Sequence, residues 1–193
     1  MPKPKKAKTT GKALPFNPTG LRVMKRKLSG TRSERRSEER RAQELVYDAM
    51  EAATPQQRLD LSLQALELDP EHPDALLMAL EAIGFEGEER IDALHGIVAV
   101  AAERLGKKAF KEFAPHFWEV LDTRPYMRAR FQLAEELREA GEVEDAIEEY
   151  EEMLLLNEND NLGVRYHLLP CLLALRRMHE ARKLLKRLAG ECL

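Results

Sequence analysis

The stretch Leu133-Ala134-Glu135-Glu136-Leu137-Arg138-Glu139-Ala140-Gly141-Glu142-Val143-Glu144-Asp145-Ala146-Ile147-Glu148-Glu149-Tyr150 decides the fold. Leu133 and Leu137 share one face of a helix that Gly141 ends, and Ala146, Ile147 and Tyr150 mark the apolar face of a second. A shift of 35 residues lays the pattern on the following segment. Leu133 then falls on Leu168, Leu137 on Leu172, Ala146 on Ala181, Ile147 on Arg182 and Tyr150 on Leu185, while Gly141 falls on Arg176. Each unit reads as two antiparallel helices, with a small residue where the second must approach the first closely. A period of about 34 residues is the mark of stacked helix pairs.

Upstream the chain reads as helix after helix with no convincing strand. Thr54-Pro55-Gln56-Gln57 is a helix start: Thr can cap, Pro fits the first helical position and Gln57 can return the capping-box bond. Leu59, Leu63 and Leu66 form its apolar face before Asp69-Pro70 stops it, and Pro73 opens a helix that reaches the turn at Gly84-Phe85-Glu86-Gly87. A longer helix runs from Ile91 to Leu105 and ends at Gly106; Phe110, Phe113, Phe117, Trp118 and Leu121 are spaced as one face of another. The expectation is an all-α, right-handed stack of antiparallel helix pairs with about nine helices.

Composition agrees with that class. Of 193 residues, 44% are hydrophobic, 34% charged and 6% aromatic, a balance suited to helices with salt-bridged outer faces. No apolar run approaches the ~20 residues that span a bilayer, so no membrane insertion is expected. Met1 to Lys12 is basic without a following apolar stretch, which reads as no secretory signal. Cys171 and Cys192 cannot form a disulfide framework and fit no zinc spacing. A cytoplasmic protein is expected.

The net charge of −3 hides two opposite pieces. Residues 1–41 carry fourteen Lys and Arg against Glu34, Glu38 and Glu39, a net +11, and the remainder carries 17 basic and 31 acidic residues, a net −14. Like-charge blocks with few apolar residues do not offset the entropy of ordering. Residues 1–38 are therefore expected to be a basic flexible tail, disordered over 1–30, and 39–193 a helical repeat domain with its clearest repeats at about 125–193. Glu-to-Arg spacings of three and four from Ser33 to Arg41 mark the start of helix near residues 31–40. The tail has two open uses: nucleic acid or another polyanion through residues 1–41, or solubility and folding back on the acidic domain. Its single aromatic, Phe16, gives base stacking little to work with.

The periodic residues resemble the tetratricopeptide repeat. Leu133-Ala134, Leu137, Gly141, Ala146, Tyr150 and the ending Leu155-Leu156-Asn157-Glu158-Asn159 sit at that repeat's signature spacings, and a second unit keeps Leu168, Leu172 and Ala181 without the turn glycine. A weaker unit ends at Ala65-Leu66-Glu67-Leu68-Asp69-Pro70, with Arg58 where a small residue belongs. A narrower resemblance rests on Phe117-Trp118-Glu119, Thr123-Arg124-Pro125-Tyr126-Met127-Arg128-Ala129-Arg130, and Met153-Leu154-x-Leu156-Asn157-x-Asn159-Asp160-Asn161-x-Gly163-x-Arg165-Tyr166. These look like the repeat-bearing segment of the suppressor of tumorigenicity 7 family and its bacterial relatives, over roughly residues 116–190. The resemblance implies a repeat scaffold and carries over no catalytic chemistry; the membrane-spanning parts of the animal members have no counterpart here.

Candidate chemistry is sparse. There is no phosphate loop, and His72, His95, His116, His167 and His179 lack metal-ligand spacing, so neither metal nor cofactor is expected. Cys171, among Leu168, Leu169, Leu172 and Leu173, reads as a small core hydrophobe. The Glu135-Glu136, Glu148-Glu149 and Glu151-Glu152 pairs alternate with arginines as a solvated helix face does. The chain is not expected to be an enzyme.

Registration on the repeat places Arg128, Phe131, Gln132 and Glu135 of one unit, and Tyr166, His167 and Pro170 of the next, on the concave surface of the stack. With Arg124, Arg130, Arg165 and Tyr126 they make an arginine- and tyrosine-rich cluster suited to gripping a peptide or helix and holding an acidic group. The expected partner-binding residues are thus Arg128, Phe131, Gln132, Glu135, Arg165, Tyr166 and His167. The competing reading has Asp160, Asp122 and Glu119 satisfy these arginines inside the repeat junctions. Glu135 and Pro170 stand where chaperone-binding versions of the repeat use Lys and Asn, which disfavours chaperone docking. Pro170 removes a backbone donor inside a helical run. The last helix, Ala181 to Leu188, can pair with a second copy.

Overall fold

Thr31 caps the first described helix. Its hydroxyl accepts the Glu34 N–H at 3.3 Å while the Glu34 carboxylate accepts the Thr31 N–H at 2.6 Å, a reciprocal cap that starts helix α1 (Arg32–Glu51). Residues 32–38, expected to belong to the tail, are therefore helical. The computed structural model describes residues 31–190, and side chains as far as Lys186. The expected disorder of residues 1–30 lies outside that range.

Seven further helices follow. In α2 (Pro55–Leu68) the Thr54 hydroxyl accepts the Gln57 N–H at 3.2 Å and Pro55 supplies the first helical residue. Helix α3 (Pro73–Ile83) buries Pro73 through Leu77, with Ala79 and Leu80, and ends at a left-handed Gly84. Helix α4 (Glu88–Phe113) is broken at Gly106, whose φ of 70° and ψ of 160° interrupt the ladder. The break falls where Gly106 was expected to end the helix, and a second helical piece carries Phe110 and runs on to Phe113. Helices α5 (Arg124–Ala140), α6 (Val143–Leu156), α7 (Val164–Ala174) and α8 (Met178–Gly190) complete the chain, all α, with no strand among the described residues.

The expectation of a helix carrying Phe110, Phe113, Phe117, Trp118 and Leu121 is corrected. Pro115 lacks an N–H and disfavours helical backbone at Ala114, so α4 stops at Phe113 and two 3-10 turns, Phe117–Glu119 and Leu121–Thr123, lead into α5. With α4 counted once across its break at Gly106, the described residues hold eight α-helices where about nine were expected. The aromatic side chains still converge. Phe110 lies 5.2 Å from both Phe117 and Tyr126, centroid to centroid, and Phe117 is fully buried.

Each helix packs on its neighbour in sequence, and α3 also meets α5. The links are short, Gly141-Glu142 between α5 and α6 for instance, which forces antiparallel neighbours. One apolar core runs from Ala42 and Val46 in α1 to Ala181 and Leu184 in α8. Ion pairs stitch distant elements over it: Arg104 to Asp69 at 2.7 Å, and Arg90 to Glu136 at 2.6 Å. The two connections flanking the α5–α6 hairpin are also joined, by a bond from the Glu158 N–H to the Pro115 carbonyl at 3.0 Å.

Candidate partner-binding face

Helix α5 sits between α3 and α7 and supplies most of the candidate residues. Tyr126, Met127, Ala129, Leu133, Ala134 and Leu137 fill its core side. Arg128, Phe131, Gln132 and Glu135, at spacings of three, one and three, occupy an adjacent stripe.

Arg128 grips Asp74 of α3 with both arms of its fork, Nε to Oδ1 at 2.7 Å and Nη2 to Oδ2 at 2.6 Å. Asp74 is 2% exposed and stands in the first turn of α3, where the helix dipole also favours its charge. One turn along, the Gln132 side-chain amide reaches Glu81 of α3 at 3.4 Å. Arg128 and Gln132 therefore line the α3–α5 seam.

On the other flank, Glu135 gathers three donors. The Tyr150 hydroxyl bonds to it, Arg138 Nη2 approaches to 2.9 Å and His167 Nδ1 of α7 lies at 2.8 Å. Burial pushes the Glu135 carboxyl up, but the bonds from Arg138 and Tyr150, with the Arg138 charge and the His167 ring close by, outweigh it, holding the group below the usual carboxylate range. Burial, and then the bond to Glu135, raise the Tyr150 phenol well above its ordinary value. Phe131 meets the His167 ring edge-on at 5.0 Å, and Tyr150 lies 6.1 Å from the same ring. Phe131, Glu135 and His167, three of the expected partner-binding residues, are thus brought together.

Arg165 and Tyr166 are not part of that cluster. Arg165 is 8% exposed and its guanidinium donates to the Glu158 carbonyl at 2.6 Å, with Asp160 at 3.9 Å. Asp160 also accepts the N–H groups of Val164 and Arg165, at 2.6 and 3.1 Å, to start α7. For Arg165 the junction alternative describes the geometry. Tyr166 stands 73% exposed beside Gly163. Arg130 is held by Glu149 and Glu152, and by the Tyr126 hydroxyl at 2.9 Å. Arg124 donates to the Trp118 carbonyl at 2.8 Å and lies over that indole at 5.3 Å. Asp122 and Glu119 are not the acceptors these bonds use.

Asp74 is the residue that sequence reasoning missed. Its signal was an acid directly after Pro73 at a helix start, which reads as a local capping charge, and its partner is 54 positions away. A concavity of about 470 Å³ is walled by Gln43, Tyr47, His72, Arg104, Phe113 and Tyr126. There His72 meets Gln43 at 3.2 Å, and burial first of all keeps its pKa below the ordinary value.

Cys171 is buried in α7 and its thiol is pushed up by burial, the opposite of what a nucleophile needs. Among the described residues no group of three His, Cys, Asp or Glu is placed to hold a metal ion, and no helix is long and apolar enough to cross a membrane. No protein-family model, curated protein or solved structure matches the chain.

Proposed function

We propose that the chain is a non-enzymatic, tetratricopeptide-like scaffold of the cytoplasm, a right-handed stack of helix pairs whose concave face holds an extended segment of a partner protein. The observation that carries this reading is the line of side-chain rungs joining α3, α5 and α7: Asp74 to Arg128, Glu81 to Gln132, and Glu135 to His167. Such rungs fix successive first helices in register and leave one continuous wall of polar and aromatic groups, as solenoid binding faces require. The resemblance to the suppressor of tumorigenicity 7 repeat segment supports the same reading.

Arg128 and Arg165 already hold carboxylates or carbonyls, so the test uses residues of the wall whose loss leaves the core intact. Partners captured by the full chain are compared with those captured by a Gln132→Ala/Glu139→Ala variant, Glu139 being exposed one turn beyond Glu135 on the same stripe of α5, and by Leu155→Ala, which lies on α6. Loss of the same partner from the first variant alone supports the groove; identical capture by all three overturns it.

A second reading uses the basic segment as a polyanion arm. Arg32, Arg35, Arg36, Arg40 and Arg41 are all exposed at the start of α1, continuous with nine Lys and Arg in residues 1–30. On this reading deletion of 1–30 lowers nucleic-acid affinity and flattens its dependence on salt.

A further inference from the structure

Four of the eight large apolar side chains exposed among the described residues belong to one hairpin. Tyr166, Leu173, Met178 and Leu185 lie on α7 and α8, with 43–73% of their surface open. Tyr166, Pro170, Leu173 and Ala174 follow one another at helical spacing along the exposed side of α7.

The 35-residue correspondence explains what this face is. Both hairpins turn the same way: Gly141 and Arg176 are left-handed, the Glu142 N–H bonds to Leu137 O at 2.9 Å, and the Arg177 N–H bonds to Leu172 O at 2.8 Å. Within α5–α6, Phe131, Glu135 and Tyr150 form the seat that receives α7 through His167. The equivalents in α7–α8 are Tyr166, Pro170 and Leu185, and among the described residues no helix follows to fill that seat. Ile147, fully buried in α6, corresponds to the exposed Arg182 in α8.

Charge selects the occupant. From Leu162 to Lys186 the one acidic residue is Glu180, and Arg177 bonds to it at 2.7 Å. Arg176, Arg182 and Lys186 are exposed beside the apolar stripe, a basic rim on a domain that is otherwise acidic. A second copy docked through this same face would bring the same basic rim against this one, and residues 1–30 carry nine Lys and Arg with no acid. Like charges oppose both. We propose that the outward face of the α7–α8 hairpin is a docking surface for an acidic amphipathic helix of a partner protein, seated as α7 is seated on α5–α6. This surface is separate from the concave wall and does not depend on it.

Two stapled helical peptides test this, with one leucine stripe at i, i+4 and i+7 and flanks of Glu in one and Lys in the other. Fluorescence anisotropy with the full chain measures both at low and physiological salt. The Glu peptide binds, weakens with salt, and loses at least tenfold in affinity to Leu185→Ala and to Arg182→Glu; Gln132→Ala leaves it unchanged. Both substitutions are at exposed positions, and circular dichroism melts verify the fold, with Lys186→Glu as a further variant. Equal binding of the two peptides, binding of neither, or indifference to all three α8 variants overturns the proposal. Self-association in sedimentation that Leu185→Glu abolishes also overturns it, by assigning the face to a second copy.

Discussion

Arg176 takes, at the α7–α8 turn, the left-handed backbone that Gly141 takes at the α5–α6 turn, with φ of 57° against 88°. A side chain in that region costs about 1–2 kcal/mol, and its exposed position gives Arg176 little packing in return. Arg176→Gly relieves the strain, less about 0.4–1 kcal/mol of added chain entropy. The expected net gain is about 0.5–1 kcal/mol, read as a higher denaturant midpoint, and Gly141→Ala moves the midpoint the other way by about 1 kcal/mol.

Asp74→Ala removes a nearly buried acceptor and strands the Arg128 fork. With Arg128 itself about one-third exposed, water softens the penalty, and a loss of about 2 kcal/mol is expected. Asp74→Asn keeps one acceptor and costs less. A double-mutant cycle with Arg128→Ala isolates the coupling; a coupling near zero would mean the pair does not link α3 to α5.

His72 gives an acid-side dependence. Burial lowers its folded pKa beneath the ordinary 6.5, with the positive charges of Arg104 and Arg128 acting in the same direction and Asp74 and Asp69 against it. Below about pH 6.5 the unfolded chain therefore binds more protons than the folded one, and stability falls as the pH drops through that window. His72→Asn flattens the slope of unfolding free energy between pH 5 and 7. An unchanged slope would show that His72 is not its source.

Tyr150→Phe deletes one donor to Glu135 and is expected to cost about 1 kcal/mol. It also lets the Glu135 carboxyl rise toward its ordinary value, which carboxyl-carbon NMR titration reads directly. The Glu135 contribution is complete above the usual carboxylate range and is lost as pH falls through the depressed folded value, so wild type and variant converge in acid.

Helix class and most helix starts are legible in the sequence because their causes are local. Thr31 with Glu34, Thr54 with Pro55, and Pro73 each act within one turn, and the buried Leu133, Leu137, Leu168 and Leu172 repeat with the helical period. The stretch from Ala114 to Thr123 is not, since its aromatic spacing mimics a helix while Pro115 forbids one. The left-handed Arg176 is hidden for the opposite reason: nothing in an arginine announces positive φ. Of the candidate face, Phe131, Glu135 and His167 follow from repeat registration, whereas the partners of Arg128 and Arg130 depend on tertiary neighbours that no spacing encodes.

The bond from Glu158 to the Pro115 carbonyl, with Asn159 reaching Glu119 at 3.1 Å, works as a buckle around the middle hairpin. Tension applied at the carboxyl end would peel away α8 and then α7, and then arrest. The next increment has to shear both buckle bonds at once and free the enclosed phenylalanine and tyrosine rings, so a pulled molecule would lengthen in a small early step and a larger late one.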